Sequence, residues 1–154
     1  GYDALPTMQI PEALSATVAC NLTTFLPPTP APVLNPQWPT LVYNAYNLDP
    51  LWHRDEQVNR VLLLEPSHYR QYPVSEKVMQ FIIDLAHNIP GIQVYCAEFT
   101  DLQQLAGSST VVFKRHPAFS HYQGMADSPD YMFPKVSGYF GSFFAYWKKC
   151  ERLL

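Results

Sequence analysis

The sequence predicts an α/β protein: a small parallel sheet of about three to five strands in three layers. An extended proline-rich arm precedes the sheet and a helix ends the chain. Three observations predict this class. From residue 40 onward, short apolar or β-branched runs alternate with segments of helical period. Those runs are continuous rather than alternating, as in strands covered on both faces. The prolines, in contrast, crowd into residues 1–39.

That arm holds eight of the fifteen prolines (Pro6, Pro11, Pro27, Pro28, Pro30, Pro32, Pro36 and Pro39) and no lysine or arginine. Proline fixes φ, removes a backbone donor and biases the preceding residue away from helix. "FLPPTPAPVLNPQWP" is therefore expected to be polyproline-like. A long structureless segment is uncommon inside a compact domain. We expect a linker or a wrapping arm, with Phe25, Leu26, Val33, Leu34 and Trp38 pinning it to apolar surface on this domain or on a neighbour. The P-x-x-P spacing from Pro27 to Pro30 also fits a peptide recruited by a groove-binding domain, although such spacing arises easily in any proline-rich linker.

The α/β domain is expected over 40–154. "TLVYNAY" (40–46) is β-branched and aromatic, and "RVLLLE" (60–65) is a short apolar run; both read as strands. Ser75 is positioned to cap a helix in which Val78, Phe81, Ile82 and Leu85 recur at helical spacing, closed by Pro90-Gly91. "IQVYCAEF" (92–99) is the next strand. Thr100 to Gln103 has capping-box spacing and opens a short helix that stops at Gly107. "STVVFK" (109–114) is a further strand. A final helix starts from Ser142 and carries basic residues in its last turns, where the helix dipole favours them.

Composition removes several function classes. A net charge of −3 and 15% charged residues give no concentrated basic face for independent nucleic-acid binding. Cys20, Cys96 and Cys150 are odd in number and form no C-x-x-C pair. Neither a zinc knuckle nor a disulfide framework is expected, and a reducing cytoplasm is the expected home. No run approaches membrane-helix length, and the start has no signal-peptide pattern. Beginning on Gly1 rather than Met, the chain reads as carrying a cloning scar or as a cut within a longer protein.

Ligands of open parallel sheets bind outside the carboxyl ends of the strands. Those ends hold Asn44 and Tyr46, then Glu65, Ser67 and His68, then Glu98, then Arg115 and His116. These eight are the candidate ligand-binding residues, with His121 and Tyr122 shortly beyond. As a nucleophile and base, Ser67 and His68 are poorly placed, because neighbours in sequence rarely aim at each other and no G-x-S-x-G elbow exists. They read more simply as polar groups satisfying the backbone in a strand-to-helix loop. A metal site from His53, His68, His116 and His121 lacks the usual paired spacing, since Pro117 interrupts the nearest pair. We assign no catalytic residue and no metal. The six glycines form no phosphate-binding pattern, which leaves a flavin or pterin held against aromatic side chains as the cofactor alternative. At helical spacing, Phe143, Phe144 and Trp147 read as an interface rather than a cofactor box.

"PTLVYNAYNLDPLWHRDEQVNRVLLLEPSHYRQYPVSEKVMQFIIDLA", "HPAFSHYQG" and "GYFGSFFAYWKKCERLL" resemble the C-terminal region of photolyase/cryptochrome-like flavoproteins of the Bacteroidetes type, related to deoxyribodipyrimidine photolyases. "YDALPTMQIPEAL" is similar to the segment that leaves their helical FAD-binding domain. The resemblance implies a Rossmann-like or flavodoxin-like accessory domain that packs on the FAD domain of the same parent chain. It further implies FAD in the parent, no cofactor assigned to this fragment, contact with DNA only through the parent, and no membrane. Catalysis would belong to the parent, a deoxyribodipyrimidine photo-lyase or blue-light receptor. The rim holding Glu65, Ser67, His68 and Glu98 would then be a relic or a working version of an antenna-chromophore pocket, and no motif decides which. The alternative reading is a free-standing α/β enzyme or small-molecule binder using the same strand ends.

Overall fold

The protein is described by a computed structural model covering residues 11–12, 21–129 and 131–154. The first part of the predicted arm, with Cys20, lies outside the described residues.

Five strands form one sheet: β1 (Thr40–Tyr43), β2 (Asn59–Leu63), β3 (Ile92–Tyr95), β4 (Val111–Lys114) and β5 (Met125–Asp127). Their order is β3-β2-β1-β4-β5 and every neighbouring pair is parallel. The class is α/β, as the sequence predicts. The pattern locates four of the strands and overextends three of them at their carboxyl ends. β5 is too short and too polar to carry a pattern. The chain enters it through Gly124, whose φ of 137° and close approach to the Val111 carbonyl leave no room for a Cβ.

Among the residues from 21 onward that the structure describes, the α-helices are α1 (Pro66–Gln71), α2 (Glu76–Ala86), α3 (Phe99–Ala106) and α4 (Phe143–Cys150). Ser75 caps α2 by accepting from the Val78 N–H at 3.3 Å, and Ser142 caps α4 by accepting from Ala145 at 3.2 Å. Two local readings need correction. Ser67 and His68 lie in the first turn of α1, not in a loop, because Pro66 is compatible with the opening turn of a helix. The α3 cap is Glu98, so the reciprocal partner is Asp101, whose carboxylate accepts from the Glu98 N–H at 3.1 Å.

Side chains alternate across the strands and build two cores. Leu41, Tyr43, Leu62 and Val112 face α2, where Met79, Ile82 and Ala86 are buried. Val42, Val61, Leu63, Val111 and Phe113 face α3, where Phe99, Leu102 and Ala106 are buried. Complete burial of an aliphatic side chain contributes about 1.5–3 kcal/mol, and these two faces make the sheet the middle of three layers. Of the apolar residues that recur at helical spacing in α2, only part turns inward. Ile82 faces the core, whereas Val78, Phe81 (61% exposed) and Leu85 face outward. Both stripes have helical spacing, so spacing alone does not choose between them.

The described part of the arm, 21–39, has no regular secondary structure and is fastened to this domain. Thr24 Oγ1 bonds both backbone groups of Val74, at 2.7 and 3.2 Å. Thr29 Oγ1 accepts from the Cys96 N–H at 2.8 Å, and the Gln93 amide pairs with both backbone groups of Val33 at 2.9 Å. The arm thus covers an edge strand, β3, that would otherwise invite pairing with another chain. Leu26 packs on one core and Leu34 on the other, while Phe25 and Val33 stay exposed.

Candidate functional site

In this strand order the chain departs from β1 in both directions, and the switch point is the crevice between the carboxyl ends of β1 and β4. Asn44, directly after β1, folds its own turn: its Oδ1 accepts from Tyr46 N–H at 2.9 Å, and its carbonyl accepts from Asn47 N–H at 3.0 Å. The turn delivers Tyr46 onto the ring of His116, with centroids 4.3 Å apart and planes 10° from parallel. His116 follows β4 and caps the one-turn 3-10 helix Pro117–Phe119, its Nδ1 accepting from Ala118 N–H at 3.2 Å. Phe119 and His68 complete an aromatic ridge, with ring centroids 4.9 Å apart.

One side of the ridge is acidic. Glu65, 2% exposed, accepts from the Phe99 N–H at 3.0 Å and faces His121 Nε2 at 2.8 Å. Phe99 is the first residue of α3, so the buried carboxylate sits at the positive end of that helix dipole. Glu98 accepts from both the Ser67 N–H (2.9 Å) and the Ser67 hydroxyl (2.6 Å), with an Arg70 nitrogen 3.9 Å away. A cavity of about 470 Å³ opens among Glu65, Ser67, His68, Glu98 and His121. Burial lowers the pKa of His68, with the imidazoles of His116 and His121 adding to the effect against the opposing Glu65 carboxylate. Burial, then the nearby Glu65 carboxylate, pushes the pKa of the Tyr122 hydroxyl far up, and that hydroxyl has no aligned hydrogen-bond partner among the described residues.

The opposite side carries donors. Asn44, Tyr46, Asn47, Arg115 and His116 line a cavity of about 430 Å³, and Arg115 and His116 also line a neighbouring one of about 760 Å³. Asn44 is 1% exposed and Asn47 is 9% exposed, yet neither amide nitrogen has a hydrogen-bond partner among the described residues. A buried donor left unpaired costs about 1–3 kcal/mol. Lys114 lies 3.4 Å from the Asp49 carboxylate, whereas Arg115 is exposed and makes no ion pair among the described residues.

All eight predicted site residues stand at the strand ends, but in two groups: Glu65, Ser67, His68 and Glu98 on the acidic side, and Asn44, Tyr46, Arg115 and His116 on the other. The Ser67 hydroxyl is committed to Glu98 while the His68 ring packs against Tyr69, Tyr72 and Phe119, so the two do not form a nucleophile and base. The four histidines considered for a metal are dispersed. His53 lies apart, 2.9 Å from Asp127, and no group of three potential ligands forms among the described residues.

Sequence reasoning missed the pairing of Glu65 with His121, the Lys114–Asp49 pair, and a latch between the β1–β2 connection and β5. In that latch Asp127 Oδ2 accepts from Trp52 Nε1 at 3.0 Å and meets His53 Nε2 at 2.9 Å, while His53 Nδ1 lies 2.8 Å from Glu56 in a close but unaligned contact. Burial opposes protonation of His53, but the Asp127 and Glu56 carboxylates outweigh it and raise its pKa. Asp127 shifts down: burial works against its charge, and hydrogen bonds from His53 and Trp52 prevail. No short-range motif announces partners this far apart in sequence.

No protein-family model matches the chain, and neither a curated protein nor a solved structure matches it. Chemically, the strand ends offer hydrogen-bond donors, imidazoles and carboxylates around open cavities, without a nucleophile held by a base among the described residues.

Proposed function

We propose that this domain is a non-catalytic accessory domain of a photolyase/cryptochrome-like flavoprotein. In this reading it packs on a helical FAD-binding domain of the same cytoplasmic parent chain, which carries the FAD, contacts the DNA and performs the photochemistry. The sequence resemblance motivates the parent. The observation that carries the docking role is the outward aromatic surface near the C-terminus. Phe143 and Phe144 of α4 are 67% and 75% exposed. Among the described residues, the ring–ring contacts made by α4 are confined to residues 133–147. Contiguous exposed apolar surface of this kind marks interaction sites, and the Val78–Phe81–Leu85 stripe of α2 adds a second face. Among the described residues, no helix is long and apolar enough to cross a membrane.

The test uses the natural full-length polypeptide that contains this sequence. Oxidised-flavin absorption bands and light-dependent repair or photoreduction support the reading. Replacing Phe143 and Trp147 by serine should loosen the domain, seen as faster proteolysis before residue 40, while the flavin stays bound. A full-length protein that purifies without flavin and binds none when reconstituted contradicts it. A second reading, a small-molecule binder acting at the strand ends, is favoured by one observation: the unpaired amide donors of Asn44 and Asn47.

A further inference from the structure

We propose that the crevice between the carboxyl ends of β1 and β4 binds a small organic anion, its charged group on Arg115 and its acceptor atoms on the side-chain amides of Asn44 and Asn47. The inference does not depend on the identity of the parent protein.

Three independent features converge on this crevice. The first is topology: the order β3-β2-β1-β4-β5 places the switch point between β1 and β4, and ligands of open α/β sheets gather at such points. The second is hydrogen-bond accounting. The orientation of Asn44 is fixed because its Oδ1 accepts from Tyr46 N–H, and a flipped amide would set two donors against each other. Its nitrogen is therefore a donor by necessity, and both it and the Asn47 nitrogen lack an acceptor among the described residues. A ligand seated in the crevice can supply one. The third is charge. Lys114 sits beside Asp49, whose other oxygen accepts from Leu51 N–H. Arg115 has no such carboxylate among the described residues, and its planar fork suits phosphate or carboxylate oxygens.

Size and shape fit as well. The cavity of about 430 Å³ adjoins one of about 760 Å³ across Arg115 and His116, within the range of small-molecule sites. The cavity on the acidic side suits an anion less, since it is lined by the carboxylates of Glu65 and Glu98, which both have donors within the protein.

The experiment is an NMR titration of the ¹⁵N-labelled full chain with inorganic phosphate and, separately, with acetate. The expected result is a saturable shift of the Asn44 and Asn47 side-chain amide signals together with Arg115. A response to phosphate assigns a phosphorylated ligand, a response to acetate a carboxylate, and a response to both a general anion site; each supports the proposal. Arg115→Gln, an exposed substitution, should weaken binding roughly tenfold or more, the loss expected for a charge-assisted hydrogen bond. Asn44→Asp keeps the acceptor for Tyr46 N–H, replaces the donor by a negative oxygen, and should abolish binding. If Asn44→Asp loses amide dispersion, Arg115→Gln decides. Shifts at Arg115 without the two asparagines, binding unchanged in Arg115→Gln, or no saturable response to either anion would overturn the proposal and leave water as the partner of the amides.

Discussion

Two cavities flank one aromatic ridge, and they differ in a single respect that sorts structure from recognition. On the acidic side the chemistry looks richer: two carboxylates, two imidazoles and a serine. Yet Glu65 accepts from the start of α3 and faces His121, and Glu98 holds Ser67. On the opposite side Tyr46 stacks on His116 and Lys114 meets Asp49, but the asparagine amides are buried without partners among the described residues and Arg115 makes no ion pair there. Reactive residue types are therefore a weaker guide to a site than unfinished hydrogen bonds. Closed networks position the fold, and a buried donor left open is where the proposed ligand would bind.

The largest expected effect breaks the acidic side. Glu65→Ala removes the acceptor of the buried Phe99 N–H and the partner of His121, and should cost about 3 kcal/mol in urea unfolding. Glu65→Gln keeps an acceptor and should cost less. A loss below about 0.5 kcal/mol in Glu65→Ala would show that this network does not hold α3 in place.

Next in size is the pH dependence of the latch and of the ridge, whose histidines, His53 and His68, have opposite signs. The raised pKa of His53 makes its contribution complete below its ordinary value of 6.5 and lost as pH rises through the elevated one. The lowered pKa of Asp127 makes its contribution complete above 3.8 and lost as pH falls through the depressed one. The lowered pKa of His68 works against acid, its contribution being complete above 6.5 and lost as pH falls. His53→Ala should therefore destabilise by roughly 1 kcal/mol between these limits, as for a part-exposed ion pair, and by less at alkaline pH. His68→Phe should flatten the loss of stability below neutrality. Thermal melts across pH read both, and a His53→Ala loss that grows toward alkaline pH contradicts the assignment.

The smallest expected effect is the most diagnostic of the contrast. Asn47→Ala deletes a donor that bonds nothing within the described protein, and should change stability by less than about 1 kcal/mol. A larger loss would mean that the amide is already satisfied and that the donor side is closed as well.

Much of the scaffold was legible in the sequence because strands covered on both faces write continuous apolar runs, as in "RVLLLE". Ser75 and Ser142 announced their helices by chemistry that acts over three residues. β5 was hidden because three residues, Met125 to Asp127, carry no period. The inward face of α2 was not legible because a second stripe, Val78–Phe81–Leu85, runs at the same spacing as the buried one. The eight rim residues were found by topology. Their division into a closed and an open group was not, since it depends on pairs such as Glu65 and His121, 56 residues apart.

Thermal denaturation with and without inorganic phosphate measures the contrast most directly, in the unmodified chain, Arg115→Gln and Glu98→Gln. At phosphate a hundredfold above its dissociation constant, binding to the folded state adds about 2.7 kcal/mol. The unmodified chain and Glu98→Gln should both gain this stabilisation, and Arg115→Gln should lose most of it at the same concentration. A gain that survives Arg115→Gln and disappears in Glu98→Gln would move the ligand to the acidic cavity and contradict the account.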